Sequence, residues 1–292
     1  METIGVIGCG LMGRGIVRNL MKNNYRVLIY DIDKEAVQRL VNEGAEASTG
    51  LTNMAAEVDY LILSLPSPEL VKKTLVEEGV IASMRVGTKI MDMSTNDVEV
   101  TRQLNEYAGE RGVNFFDCPL SGGPAGSEDG KLTIMVGGYD KVFPSLLPVL
   151  NSIGKHIEYI GPSGAGQTVK LCHNMVVGGV ITLLSEAFLT GERSGVSKEK
   201  IASILQKGSA QTRVMEVFGQ NILDGTFDDV NFSLTNMLKD IDLYRNLAEA
   251  QFIPTYVSQP VDQLYRISNH KGKGKQDSSA VYNTLADIGK KG

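Results

Sequence analysis

The chain is predicted to be an α/β domain with a mostly parallel, doubly wound sheet, followed by an all-α domain. Three observations support this. Short β-branched runs alternate with amphipathic stretches through about the first 160 residues. A glycine-rich turn separates the first such run from the first amphipathic stretch. Past Gly164 the strand signal stops, and the pattern is helical almost to the end.

In order, "TIGVIG" (3–8) reads as a buried strand, and a helix follows from about Met12 to Lys22. "RVLIYD" (26–31) is strand, and "KEAVQRLVNEG" (34–44) is a helix closed by Gly44. "VDYLILSLP" (58–66) is strand, "PELVKKTLVEE" (68–78) helix, "KIMDMS" (89–94) strand and "DVEVTRQLNEYAGERG" (97–112) helix. "NFFDCPLSGG" (114–123) is a strand entering a glycine-rich loop, and "KLTIMVGG" (131–138) is the last strand. Helical pattern then occupies 164–194, 197–207, 211–221, 232–252, 254–270 and 278–289. The shift at "IGPSGAGQ" sets the domains at 1–163 and 164–292.

The 292 residues suffice for two domains, each with its own core. A net charge of −5 and a pI near 5.4 give no electrostatic reason to expect nucleic acid or anionic lipid as the partner. Three separated cysteines without a CxxC pair argue against a disulfide framework or a structural zinc site and suit the cytoplasm. "METIGVIGCG" runs into a strand without a basic leader, and no uninterrupted apolar stretch reaches about 18 residues. Neither secretion nor membrane spanning is therefore expected, and no metal site is.

"GCGLMG" matches G-x-G-x-x-G at Gly8, Gly10 and Gly13, with Leu11 and Met12 between. The pattern is weak alone, but here it follows a predicted strand and opens a predicted helix. Gly8 suits a tight turn, Gly10 a close backbone approach to pyrophosphate, and Gly13 close helix–strand packing. Asp31 ends the second strand, 18 residues after Gly13, where a carboxylate can accept from ribose hydroxyls. It would repel a 2′-phosphate and no arginine follows it closely, so NAD is expected rather than NADP.

Ser121, Gly122 and Gly123 offer a hydroxyl and unshielded N–H groups, which suit either a carboxylate nest or a plain connection. "GAGQTVKLCHNMVVGGVITL" (164–183) places Lys170 in the first turns of an apolar helix, with Asn174 four residues on and on the same face. That lysine is either a surface residue reaching solvent along its stem or a catalytic group with a shifted pKa. Cys172 reads as packing. His173 is open to three roles: a rival base, a substrate contact, or a satisfied buried histidine. His156 and His270 fall on surface stretches.

"GVIGCGLMGRGIVRNL", "DCPLSGGPAG", "GAGQTVKLCHN" and "NMLKDIDL" (236–243), in that order over nearly the whole chain, resemble the β-hydroxyacid dehydrogenase family. The resemblance implies a Rossmann-like N-terminal domain, a helical C-terminal domain and an active site in the cleft between them. It implies that Lys170 is the catalytic lysine, that Asn174 binds substrate, and that Ser121, Gly122 and Gly123 hold the substrate carboxylate. It further implies that Leu65, Pro66 and Thr95 line the cofactor cleft and that Lys239, beside Asp240, lies near the nicotinamide. His173 departs from the asparagine common at its position, which blurs substrate identity. Lys271, Lys273 and Lys275 of "KGKGK" fall near the cleft by the same matching.

The activity implied is NAD-dependent oxidation of a small 3-hydroxy acid, 3-hydroxyisobutyrate-like, or the reverse reduction, with Lys170 passing the hydroxyl proton. An NADPH-dependent succinic semialdehyde or glyoxylate reductase, a 6-phosphogluconate dehydrogenase-like enzyme and a non-catalytic nucleotide-binding module compete with it. Apolar faces on the long helix point to a homodimer or homotetramer.

Overall fold

A computed structural model describes residues 2–289, and the chain divides into two compact units between Lys170 and Leu171. In the first unit β1 (Thr3–Ile7), α1 (Leu11–Lys22), β2 (Arg26–Tyr30), α2 (Lys34–Asn42), β3 (Glu46–Ala47), α3 (Leu51–Glu57), β4 (Tyr60–Leu63), α4 (Pro68–Lys72), β5 (Lys89–Asp92), α5 (Val98–Gly109) and β6 (Asn114–Asp117) alternate. Next come β7 (Leu120–Ser121), α6 (Gly123–Glu128), β8 (Leu132–Gly137), α7 (Leu147–Ile153) and β9 (Gly154–Gly161). One sheet results, ordered β3-β2-β1-β4-β5-β6-β8-β7, with β9 on the other edge of β8. The strands from β3 to β6 are parallel, and only β6 and β7 meet β8 antiparallel.

Residue alternation along the strands builds two cores. Ile4, Val6, Ile29, Ile62, Met91 and Phe116 face α1 and α7, packing on Ile16, Leu20 and Leu150. Ile7, Leu28, Leu61, Leu63, Ile90 and Phe115 face the other layer, against Met54, Val71 and Leu104. Each such side chain contributes roughly 1.5–3 kcal/mol by leaving water, so a strand shifted by one residue would lose most of its packing. Side-chain caps start several helices: Asp33 accepts from Glu35 N, Ser67 from Leu70 N and Asp97 from Glu99 N.

The sequence reading differs from the structure at several places. α3, β3, α7 and β9 were not anticipated; β9 is an edge strand with little burial, so it lacks a period-two signal. The expected helix 68–78 is α-helical only to Lys72 and continues as a π-turn over Lys73–Glu77. The expected glycine-rich loop after Ser121 is a short helix, because Gly122 and Gly123 take positive φ and Pro124 fixes the first turn.

The long helix α8 (Ala165–Arg193) starts in the first unit and ends in the second. By length and composition it could cross a membrane, yet 61% of its apolar window is buried in the protein. The second unit adds α9 (Lys198–Leu205), α10 (Arg213–Asp224), α11 (Leu234–Ala250), α12 (Ser258–Ser268) and α13 (Val281–Ile288). Ile181 and Phe188 of α8 pack there with Ile222, Met237, Ile241 and Tyr265.

Candidate active site

The C-terminal ends of β1, β2, β4, β5 and β6 gather the first group of predicted site residues, at the edge where open α/β sheets bind ligands. Gly8 turns at φ +98°, and a Cβ there would lie 2.3 Å from the Ser64 carbonyl oxygen. A Cβ on Gly13 would lie 1.8 Å from the oxygen of Gly8. Gly10 differs: it immediately precedes α1, and a Cβ there would meet nothing within 4 Å. No side chain caps that helix and no acidic residue stands in its first turn. The first-turn N–H groups therefore keep the partial positive charge that a pyrophosphate matches, so these residues fit a dinucleotide. Leu11 is exposed and Met12 half-buried beside them.

Asp31 accepts from Cys9 N at 2.6 Å and from Asp33 N at 2.9 Å, so the carboxylate ties the end of β2 to the glycine loop. Burial and the charges of Asp31 and Asp33 push the Cys9 thiol up to about 12, which removes it as a nucleophile. Leu65 and Pro66 follow β4, with Leu65 N donating to Ser94 Oγ at 2.9 Å.

Thr95 sits in a loop clamped from both sides by Gln167. The Gln167 amide donates to Ser94 O at 2.8 Å and accepts from Asn96 N at 3.0 Å. Asp117 accepts from Gly164 N at 2.8 Å and from Gln167 N at 2.9 Å, fastening the first turn of α8 to the end of β6. Asp92 accepts from Ser94 N and Asn96 Nδ2, both at 3.0 Å. Burial pushes Asp92 up to about 6 against the pull of those hydrogen bonds, and burial raises Asp117 as well. Lys170 stands one turn beyond Gln167 and is 7% exposed. The reading of Lys170 as a solvent-reaching surface lysine is thus excluded.

Ser121 ends β7, Gly122 turns the chain, and α6 begins at Gly123. That helix is packed against the cofactor helix α1. Ser127 Oγ donates to Met12 O at 2.7 Å, Asn19 Nδ2 donates to Ser127 O at 2.8 Å, and Glu128 pairs with Arg14 and Arg18 at 2.9 Å. The glycine loop and the Ser121 segment therefore share one scaffold. Asp92, Asp117, Gln167 and Ser127 were missed as positioning groups. Asp117 and Gln167 lie inside quoted motifs, but a hydrogen-bond partner 50 residues away leaves no local signal.

In the second unit Asn174 is buried, with Oδ1 2.8 Å from His173 Nδ1 and Nδ2 donating to Asp240. The other Asp240 oxygen lies 3.0 Å from Lys239 Nζ, an ion pair short of hydrogen-bond alignment. His173 is exposed, which discards the buried alternative, and so is Cys172, which does not serve packing as expected. His156 and His270 are exposed. Lys271 pairs with Asp287 at 3.8 Å. Among the described residues no group of His, Cys, Asp or Glu is arranged to hold a metal ion.

A doubly wound sheet with strand order 3-2-1-4-5-6 and an uncapped glycine-loop helix defines a dinucleotide-binding domain. Residues 3–161 match the family described as the NAD binding domain of 6-phosphogluconate dehydrogenase. Residues 164–285 match that described as NAD-binding of NADP-dependent 3-hydroxyisobutyrate dehydrogenase. The chain is 33% identical to 2-(hydroxymethyl)glutarate dehydrogenase of Eubacterium barkeri, over 95% of this chain and 93% of that one. It is 32% identical to a probable mitochondrial 3-hydroxyisobutyrate dehydrogenase of Dictyostelium discoideum, over 97% and 91%. A structure of Mycobacterium tuberculosis 3-hydroxyisobutyrate dehydrogenase with L-serine superimposes with a TM-score of 0.90 at 27% identity, covering 98% of this chain and 99% of that one. The chain belongs to the β-hydroxyacid dehydrogenase family and is an NAD(P)-dependent hydroxyacid dehydrogenase.

Proposed function

We propose that the protein oxidises the primary alcohol of a small 3-hydroxyisobutyrate-like acid to the semialdehyde with NAD⁺, and catalyses the reverse reduction. The observation that carries this reading is a buried lysine on a helix whose first turn is fastened to the Thr95 loop and to the end of β6. When bound, the nicotinamide supplies the hydride acceptor for oxidation and the donor for reduction. Lys170 takes the hydroxyl proton in oxidation and returns it in reduction. Ser121, Gly122 and Gly123 hold the substrate carboxylate, and Asn174 orients the substrate. Gly8, Gly10, Leu11, Met12 and Gly13 hold the pyrophosphate, Asp31 the ribose hydroxyls; Leu65, Pro66 and Thr95 line the cofactor site, with Lys239 at its nicotinamide end. 3-Hydroxyisobutyrate, 2-(hydroxymethyl)glutarate and serine share the unit HOCH₂–CH(R)–COO⁻, which supports that unit as the substrate class. A panel varying R, assayed with NAD⁺ by nicotinamide absorbance, tests the reading; no turnover across the panel would overturn it.

The description of the C-terminal family favours an NADP-dependent reading, against which Asp31 argues. We further propose a homodimer or homotetramer in the cytoplasm. Exposed Val176 and Leu183 on α8 support the assembly, and three free cysteines suit a reducing compartment. Light scattering that reports a monomer would remove the first proposal.

A further inference from the structure

Asn174 is the middle of a polar chain in the second unit. Its Nδ2 edge meets Asp240, which is fully buried on α11, and its Oδ1 edge lies 2.8 Å from His173 Nδ1. Lys239 supplies the counter-charge, 3.0 Å from the second Asp240 oxygen. Donor and acceptor character now pass along the chain without a choice. A carboxylate accepts and does not donate, so the amide edge facing it is the NH₂ edge. The carbonyl edge then faces the ring, and a carbonyl oxygen accepts only, so His173 Nδ1 carries hydrogen. Turning the amide over would set two acceptors against each other in a buried place. On the neutral ring the lone pair is consequently at Nε2.

We propose that Asp240 is a positioning residue that orients the amide of Asn174 and, through it, fixes the Nδ1–H tautomer of His173. The effect on substrate binding rests on the hydroxyacid dehydrogenase reading; the tautomer does not. A solvated imidazole favours the opposite form, with hydrogen on Nε2. The position therefore departs from what the histidine would adopt unaided.

The test is long-range ¹H–¹⁵N correlation of the imidazoles in the full-length protein labelled with ¹⁵N-histidine, recorded above the pH at which imidazoles titrate. The chain has three histidines, so His173→Asn identifies the signal, and exposed His156 and His270 give the solvated reference. The expected result is an Nδ1–H pattern for His173 alone. Asp240→Asn, which can donate as well as accept, and Asn174→Ala, which cuts the chain, should each move it toward the solvated pattern. An Nε2–H pattern in the unmodified protein, or an unchanged Nδ1–H pattern in both variants, overturns the proposal. Should Asp240→Asn fail to fold, the unmodified protein and Asn174→Ala still decide. In kinetics Asp240→Asn should raise KM for the hydroxy acid roughly tenfold, the scale of one lost hydrogen bond. A pure stability loss with the tautomer retained would mean a structural role only. Absence of turnover with the tautomer present would sink the dehydrogenase reading and leave the relay standing.

Discussion

At the scale of single residues, Lys170 and Asp31 can be tested separately because they belong to different steps. Lys170→Ala removes the group proposed to move the proton and leaves the glycine loop untouched. Turnover should fall about 10²–10⁴-fold, while NAD⁺ affinity by calorimetry stays close to that of the parent. An equal loss in both would place Lys170 in cofactor binding instead. Asp31 already accepts from two backbone N–H groups, so it carries structure as well as the selectivity proposed for it. Asp31→Ser combined with Ile32→Arg puts a cation beside the ribose end, since Ile32 is 88% exposed. The parent should prefer NAD⁺ by more than about tenfold in kcat/KM, or about 1.4 kcal/mol, and the double variant should narrow or reverse that preference. Equal use of both cofactors by the parent would refute the role of Asp31.

Between elements, the contact of α1 with α6 couples the loop for the cofactor to the segment ending in Ser121–Gly123. Gly15 makes the contact possible: a Cβ there would lie 2.5 Å from Ser127 Oγ and 2.8 Å from Glu128 N. Backbone cannot yield as a flexible side chain does, so Gly15→Ala must push the helices apart. The expected cost is about 1–3 kcal/mol in urea unfolding, with weakened NAD⁺ binding although Gly15 lies outside the glycine triad. Unchanged stability would show that the interface is looser than its geometry indicates. The motif made Gly8, Gly10 and Gly13 legible in the sequence, since phosphate loops impose a fixed spacing. It said nothing of Gly15, whose reason for being glycine sits more than a hundred residues away.

For the molecule as a whole, buried carboxylates set a pH dependence opposite to that of ion-paired surface acids. Asp92, raised to about 6 by burial, binds its proton more tightly in the folded chain than in the unfolded one. Its contribution is therefore full below the ordinary carboxylate range and is lost as pH rises from about 4 to 6, on the order of 3 kcal/mol. Asp117, raised in the same direction, adds to this. Glu43, Glu46 and Glu128 are lowered by their arginine partners, chiefly through side-chain hydrogen bonds in Glu43 and Glu46, and work the other way. The difference between parent and Asp92→Asn isolates the buried group. Parent stability should fall relative to the variant across that window, and parallel pH curves would show that Asp92 does not titrate there.

The sequence by itself determined the order of classes, α/β then all-α, because buried parallel strands and amphipathic helices have different periods that survive in one chain. It also made the glycine loop legible, because a strand–turn–helix unit fixes the spacing of Gly8, Gly10 and Gly13, whereas Lys170 stood out only through the resemblance of its motif. Only the tertiary structure decided the antiparallel seating of β8, the helix after Gly122, the clamp of Gln167 on the Thr95 loop, and the chain from Asp240 through Asn174 to His173. Those features depend on groups brought together from distant segments. A hydrogen bond satisfied across 66 residues imposes no period on the residues between.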